Sequence, residues 1–378
     1  MNSGLAAAVF VLCVGFCAYV LFVYPLLLDL LARVRSRPVR KAHLQAAVSI
    51  ILPVHNGEKW IGPKLESILA LNYPAELVEI LVADDGSIDA TRGIAQSFTG
   101  RARLHVLQLP RGGKAAALNA AIAKASGEIL FLTDVRQEVH PDSLANLVAC
   151  FADDSIGVAS GELIIRDGTG IEAASVGLYW KYEKWIRKRL SRLDSIPGAT
   201  GCIYAMRRAL ARPMPPDALV DDMYLPLAAF FRGYRAVLDE TALAFDQPTE
   251  LAGEFRRKVR TLAGVYQSIG QYPELLGPRN RMWIHFVSHK LGRLLMPWAM
   301  ILAAAVTWFL PRPWNLWAGA AQAAGYGLAL LDYALHEDSL LKRVTSPART
   351  FVVLMAASLC AVSIFFIPAR VFWKTPSA

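Results

Sequence analysis

The chain has 378 residues, 54% of them hydrophobic, and its mean hydropathy of +0.35 exceeds what one wholly soluble domain carries. Its net charge of +9 sits largely beside apolar runs or in stretches such as Lys181 to Arg192, with aromatic and aliphatic residues interleaved. That distribution suits anionic lipid headgroups and argues against a nucleic-acid partner. The five cysteines, Cys13, Cys17, Cys150, Cys202 and Cys360, form no CxxC pair, so neither a disulfide framework nor a thiolate zinc site is expected.

Leu5 to Leu28 carries no charge, which gives the roughly 20 apolar residues that a membrane-spanning helix requires. The residues before it lack the basic stretch of a cleavable signal peptide, while Arg33, Arg35, Arg37, Arg40 and Lys41 follow. The positive-inside rule then places the following domain in the cytosol of an integral membrane protein. Val48 to Val54 reads as a buried strand, Lys64 to Leu71 as a helix and Leu77 to Ala83 as a second strand. Leu104 to Leu109 and Glu128 to Thr133 read as further strands, with helices at Lys114 to Ala125 and Ser143 to Phe151. Such alternation predicts an α/β domain with a mostly parallel, Rossmann-like sheet, whose ligands bind at the carboxyl ends of the strands. Beyond Gly161 the pattern loosens into an amphipathic helix, Ala173 to Leu193, expected at the membrane surface, along an acceptor path or simply half-buried. Apolar character returns at Leu294 to Leu310, Trp314 to Leu335 and Thr350 to Pro368, so about four spans are expected, with both termini outside. His285 and His289 lie four apart with no third ligand beside them, which predicts an interfacial pair and not a metal site. The organisation is thus 1–32 membrane helix, 33–47 basic linker, 48–280 catalytic domain and 281–378 interfacial helix with C-terminal spans.

Polar groups stand where a packed core gives no reason for them. Asp84-Asp85-Gly86-Ser87 closes the second strand, Gly112-Gly113-Lys114 opens a helix, Asp134 closes a later strand and Asp221-Asp222 precedes another helix. Each alone reads as a helix cap or a turn. All four on the carboxyl side of one sheet point to a ligand site.

Their order and spacing resemble family 2 glycosyltransferases with the GT-A fold, the branch that includes cellulose, hyaluronan and poly-N-acetylglucosamine synthases. Pro53-Val54-His55-Asn56 is similar to the family's Pro-x-Tyr-Asn, and Asp84 and Asp85 match the pair that contacts base and ribose. Gly113 to Asn119 resembles the Gly-Lys-x-x-Ala-Leu-Asn segment; it is no Walker A loop, because Ala115 stands where Ser or Thr is required. The resemblance makes Lys114 a candidate for the donor's diphosphate. Leu219 to Asp222 aligns with Thr-Glu-Asp, whose Asp is the general base, which implies that Asp222 takes the acceptor proton with Asp221 as an orienting neighbour. A single displacement of this kind inverts the anomeric centre. Gly198 to Cys202 resembles the small-residue segment beside the acceptor.

The chain departs from the family at two places. The metal-binding Asp-x-Asp reads Asp134-Val135-Arg136, and Gln-x-x-Arg-Trp reads Arg257 to Thr261, which keeps Arg260 but lacks Gln and Trp. The resemblance therefore implies a Mg²⁺ or Mn²⁺ ion held weakly through Asp134 and the donor's phosphates, with Arg136 a second candidate for the diphosphate. It implies a UDP-sugar donor, a polysaccharide or lipid-linked acceptor, contact with membrane lipids, and export or polymerisation partners. The competing readings are a polyprenyl-phosphate sugar transferase and an inactive nucleotide-sugar-binding scaffold.

Overall fold

A computed structural model describes residues 2–165, 171–247, 251–336 and 339–373. The chain forms two compact units, Ser36–Asp167 with Leu190–Pro248, and Met1–Arg35 with Gly168–Arg189 and Thr249–Ala378. The expected domain at 48–280 is therefore discontinuous. Segments 168–189 and 249–280 fall in the second unit because they supply amphipathic helices, Ile171–Leu193 and Leu251–Gln271, that find partners on its apolar helices.

The first unit is built on an eight-stranded sheet. Its strands are β1 Val48–Val54, β2 Val78–Asp85, β3 Leu104–Leu109, β4 Ile129–Leu132, β5 Glu138–Val139, β6 Ile156–Ile165, β7 Tyr204–Arg207 and β8 Arg235–Asp246. They lie in the order β3-β2-β1-β4-β7-β6-β8-β5. The pairs β1/β2, β1/β4, β2/β3 and β6/β8 are parallel, whereas β7 runs against β4 and β6, and β5 runs against β8. Every residue of β1 is buried, as a strand paired on both edges and enclosed in a core requires. Ile50, Leu52 and Phe131 of the sheet share one core with Ile61 and Leu65 of the helix Glu58–Leu69 and with Leu147 of the helix Ser143–Ala149.

Register decides what meets at the carboxyl edge. Val54 lies beside Asp84, Ile51 beside Leu132, and Leu132 beside Tyr204. The ends of β1, β2 and β4 thus converge with the start of β7, and the loops after them share one rim.

β6 and β8 escaped the sequence reading for a local reason. Their pairing shifts register between Ser160 and Glu162, and β8 carries Asp239, Glu240 and Thr241 mid-strand, so neither shows a clean two-residue alternation.

Among the described residues of the second unit, three helices are long and apolar enough to cross a membrane: Ser3–Val34, Trp283–Thr307 and Lys342–Phe365. The span expected at Trp314 to Leu335 forms the helix Trp314–Leu331 but is not among them, since Asn315, Gln322 and three glycines dilute its apolar character. Val20, Met296 and Met355 pack together where these helices meet. The amphipathic helix Ile171–Leu193 is anchored there by polar bonds: Arg189 pairs with Asp29 at 2.8 Å, the Tyr182 hydroxyl donates to the Leu21 carbonyl, and Glu183 pairs with Arg293 and Lys290. His285 bonds the Tyr24 hydroxyl at 3.2 Å, and His289 lies 3.2 Å from Arg293 and 3.4 Å from Glu183.

Candidate active site

The first corner of the rim is made by the ends of β1 and β2. Pro53 lies opposite Ala83 in the buried run of β1, which ends at Val54 and lets the chain leave the sheet at His55 and Asn56. The His55 ring donates from Nδ1 to the Asp85 carbonyl at 2.9 Å, and Asn56 exchanges bonds with Ser87 and Ile88. Asp84 is fully enclosed. Its carboxylate accepts from the Ser87 amide at 3.0 Å and from Arg92 Nε at 2.9 Å.

Asp85 reaches the next loop. Its carboxylate accepts the amides of Gly112 at 2.7 Å and Gly113 at 3.0 Å, and it pairs with Arg111. Several donors on one carboxylate make strong, charge-assisted bonds. Gly113 has φ of 88°, a left-handed conformation that side chains resist, and it releases the chain directly into the helix Lys114–Lys124. Asp85 therefore fixes where Lys114 begins.

Lys114 forms the centre of the site. Its Nζ lies 2.8 Å from Asp134 Oδ1, after β4, and 2.9 Å from Asp221 Oδ1, in the first turn of the helix Asp221–Phe230. Burial alone pulls an ammonium's pKa down, but the two carboxylates outweigh it and hold Lys114 above the ordinary lysine value. They also offset the unfavourable placement of a cation at a helix N-terminus. Tyr204, buried at the start of β7, stands 3.5 Å from Asp221 Oδ2. Burial, then the carboxylates of Asp221, Asp222 and Asp134, push its phenol well above the ordinary value, so it stays a neutral donor.

The third corner is Asp222, half-buried beside Asp221. Its carbonyl accepts from the Ala199 amide at 2.6 Å, and a Cβ placed on Gly201 would stand 2.9 Å from its Oδ2. The segment Gly198 to Cys202 thus passes directly over the Asp222 carboxylate, and a side chain at 201 would push that oxygen from its place.

Arg136 turns to the opposite end of the rim. It pairs with Asp246 at the end of β8, and Gln137 Nε2 donates to the same carboxylate at 2.8 Å. Beneath this loop Lys64, fully buried, donates to Thr133 Oγ1 at 2.6 Å and to the Gln137 carbonyl. Burial pulls its pKa down to about 8, against the opposing influence of Cys202, Asp134 and Glu138. Arg260 belongs to the second unit, in the helix Leu251–Gln271, where neighbouring Lys258 stands 4.7 Å from the Trp180 ring.

The donor set for a metal is small. Among the described residues no group of three or more His, Cys, Asp or Glu converges as a metal cage; what stands at the expected place is two carboxylates sharing one ammonium. Mg²⁺ needs only one or two protein carboxylates when substrate phosphates supply other ligands. Asp134 therefore fits a divalent ion only in company with a donor's phosphates.

Sequence reasoning missed Arg111, Tyr204, Lys64 and Asp246. Arg111 could have been found from its place beside Gly112-Gly113. The other three are brought to the rim by sheet register and burial, which no motif records.

A glycine-loop lysine, two strand-end carboxylates and a helix-borne aspartate stand together on the carboxyl rim of this mixed sheet, the edge where a GT-A fold places its ligand. Residues 49–213 match the family described as Glycosyl transferase family 2, so this stretch of the chain is a glycosyltransferase family 2 domain. It is 24% identical over 217 residues to the "Probable glycosyltransferase YdaM" of Bacillus subtilis, covering 54% of this chain and 51% of that protein. It is 23% identical to the "Poly-beta-1,6-N-acetyl-D-glucosamine synthase" of Staphylococcus epidermidis, covering 72% and 65%. The chain thus spans about half to two thirds of the length of these curated relatives. Among solved structures, the mannosyltransferase PcManGT of Pyrobaculum calidifontis, in complex with GDP-Man and Mn²⁺, superposes with a TM-score of 0.75 at 24% identity, covering 95% of this chain and 99% of that one.

Two outcomes follow from this geometry. Asp85→Ala frees the Gly112-Gly113 amides and lets Lys114 drift, so the dissociation constant for UDP, read by calorimetry, should rise on the order of tenfold. An unchanged constant would reduce Asp85 to a turn residue. Lys64 has a folded-state pKa below its unfolded value, so the unfolded chain binds more protons above about pH 8. Stability in detergent should therefore rise with pH from about 8 towards 10, by on the order of 1–3 kcal/mol from this group. Lys64→Met should flatten that rise; an identical pH profile in the variant would show that Lys64 does not cause it.

Proposed function

We propose that the chain is an inverting glycosyltransferase that moves a sugar from a UDP-linked donor to a polysaccharide or lipid-linked acceptor at the cytosolic face of a membrane. The observation that carries this reading is the Asp222 carboxylate standing against the close-packed Gly198–Gly201 segment, one residue from the Lys114, Asp134 and Asp221 cluster. A carboxylate next to a small-residue backbone segment, with a cation and further carboxylates beside it, matches what the reaction needs. The acceptor hydroxyl attacks the anomeric carbon as the nucleoside diphosphate departs, and its proton passes to Asp222. Asp221, held by Lys114 and Tyr204, keeps its neighbour oriented. Lys114 is the cation placed to meet the departing diphosphate, whose charge must be stabilised as it develops. A divalent ion, Mg²⁺ or Mn²⁺, would be held by Asp134 together with the donor's phosphates and would neutralise the remainder of that charge.

The membrane setting rests on the three long apolar helices and on the basic residues 33–41 that follow the first of them. A polymerising relative in Staphylococcus epidermidis makes a polysaccharide acceptor reasonable. The departure at Arg257 to Thr261 favours transfer of one or a few sugars over long processive synthesis.

Asp222→Asn should lower transfer by about 10²- to 10⁴-fold while leaving UDP affinity nearly unchanged, because a general base acts on the acceptor and not on the nucleotide. Single-turnover transfer from radiolabelled UDP-sugars in membranes, paired with UDP titration, measures both. Turnover at the wild-type rate would remove Asp222 from the mechanism.

A further inference from the structure

We infer that Lys114 is a lock on the cation site: in donor-free protein its ammonium fills the place between Asp134 and Asp221, and Asp134 becomes available to a divalent ion only when a donor diphosphate draws the ammonium away. This rests on the reading that the diphosphate binds at Lys114, and it adds an order of events to that reading.

The geometry leaves little room for two cations. One Nζ sits 2.8 Å from one carboxylate and 2.9 Å from the other. The three side chains keep only 22%, 35% and 10% of their surface exposed, for Lys114, Asp134 and Asp221 respectively. A divalent ion brought to the same oxygens would face a fixed positive charge a few ångströms away in a partly desolvated site, where repulsion is weakly screened. The other cations of the rim are committed elsewhere, Arg136 to Asp246 and Lys64 to Thr133 and the Gln137 carbonyl.

Lys114 has the means to move. It is the first residue of its helix, it follows two glycines, and its four-carbon stem carries a rotatable ammonium. A diphosphate carries more than one negative charge and competes for that ammonium more strongly than a single carboxylate does. When Lys114 transfers its bonds to the phosphates, Asp134 regains an oxygen for an ion while the phosphates offer the other ligands. Donor and ion then bind with positive coupling, and the coupling must be reciprocal.

The test is Mn²⁺ binding to the full chain in detergent, read from the free-ion electron paramagnetic resonance signal without acceptor, so that no turnover enters. UDP and GDP are run in parallel as the nucleotide probes. Wild type should bind Mn²⁺ at least tenfold more weakly alone than with saturating nucleotide. Lys114→Met should raise nucleotide-free Mn²⁺ affinity at least tenfold, and Lys114→Arg, which keeps a cation there, should not. Equal wild-type affinity with and without nucleotide would overturn the lock, and that arm requires no variant to fold. Unchanged affinity in a folded Lys114→Met would overturn it as well. Failure of wild type to bind either nucleotide would instead count against the donor-site reading itself.

Discussion

A single ammonium between two carboxylates organises the carboxyl rim of the sheet. Lys114, Asp134 and Asp221 come from a helix start, a strand end and a helix first turn that lie far apart in sequence. Without Lys114, Asp134 and Asp221 would repel across a partly buried space, and without the carboxylates the ammonium would pay its desolvation unaided. Removing one partner of such a set costs more than the set contributes as a whole, so the three residues constrain one another. Polar groups this tightly coupled are poor choices for stability alone; their place at a ligand-binding edge gives them another use.

The surroundings serve that cluster. Asp85 holds the glycine loop that launches Lys114, and its own position is set because β2 pairs with β1 in a register that carries it one step past Val54. Lys64 fastens the underside of the loop that bears Asp134, while Asp246 draws Arg136 to the far end of the same loop. The substitution of Arg for the family's second Asp thus has a structural partner on β8. Gly201 packs closely against the Asp222 carboxylate, while the neighbouring Asp221 faces the lysine.

The first half of the fold was legible because its strands are short apolar runs with punctuated ends. Val48 to Val54 and Leu104 to Leu109 have the bounds that periodicity gives them, and the helix starting at Lys114 begins where the glycines end. Beyond Gly161 the signal fails for reasons visible in the structure: β6 and β8 pair with shifted register, and β7 is only four residues long. The reversal of β7 is a tertiary fact with no local sequence mark. In the site, strand-end aspartates and the glycine loop stand out in the chain, whereas the partners of Asp85 and Arg136 depend on which loops the sheet order brings together. Lys64 is hidden most completely, since a lysine on a helix reads as a solvated one until its burial is known.

The account turns on where the donor's diphosphate goes, and a structure of the full chain with UDP bound would address it directly. The account predicts phosphate oxygens within hydrogen-bonding distance of Lys114 Nζ, at least one of its bonds to Asp134 or Asp221 broken, and the Asp222 carboxylate left clear on the acceptor side. A bound nucleotide with Lys114 still bridging both carboxylates and its phosphates elsewhere would contradict it.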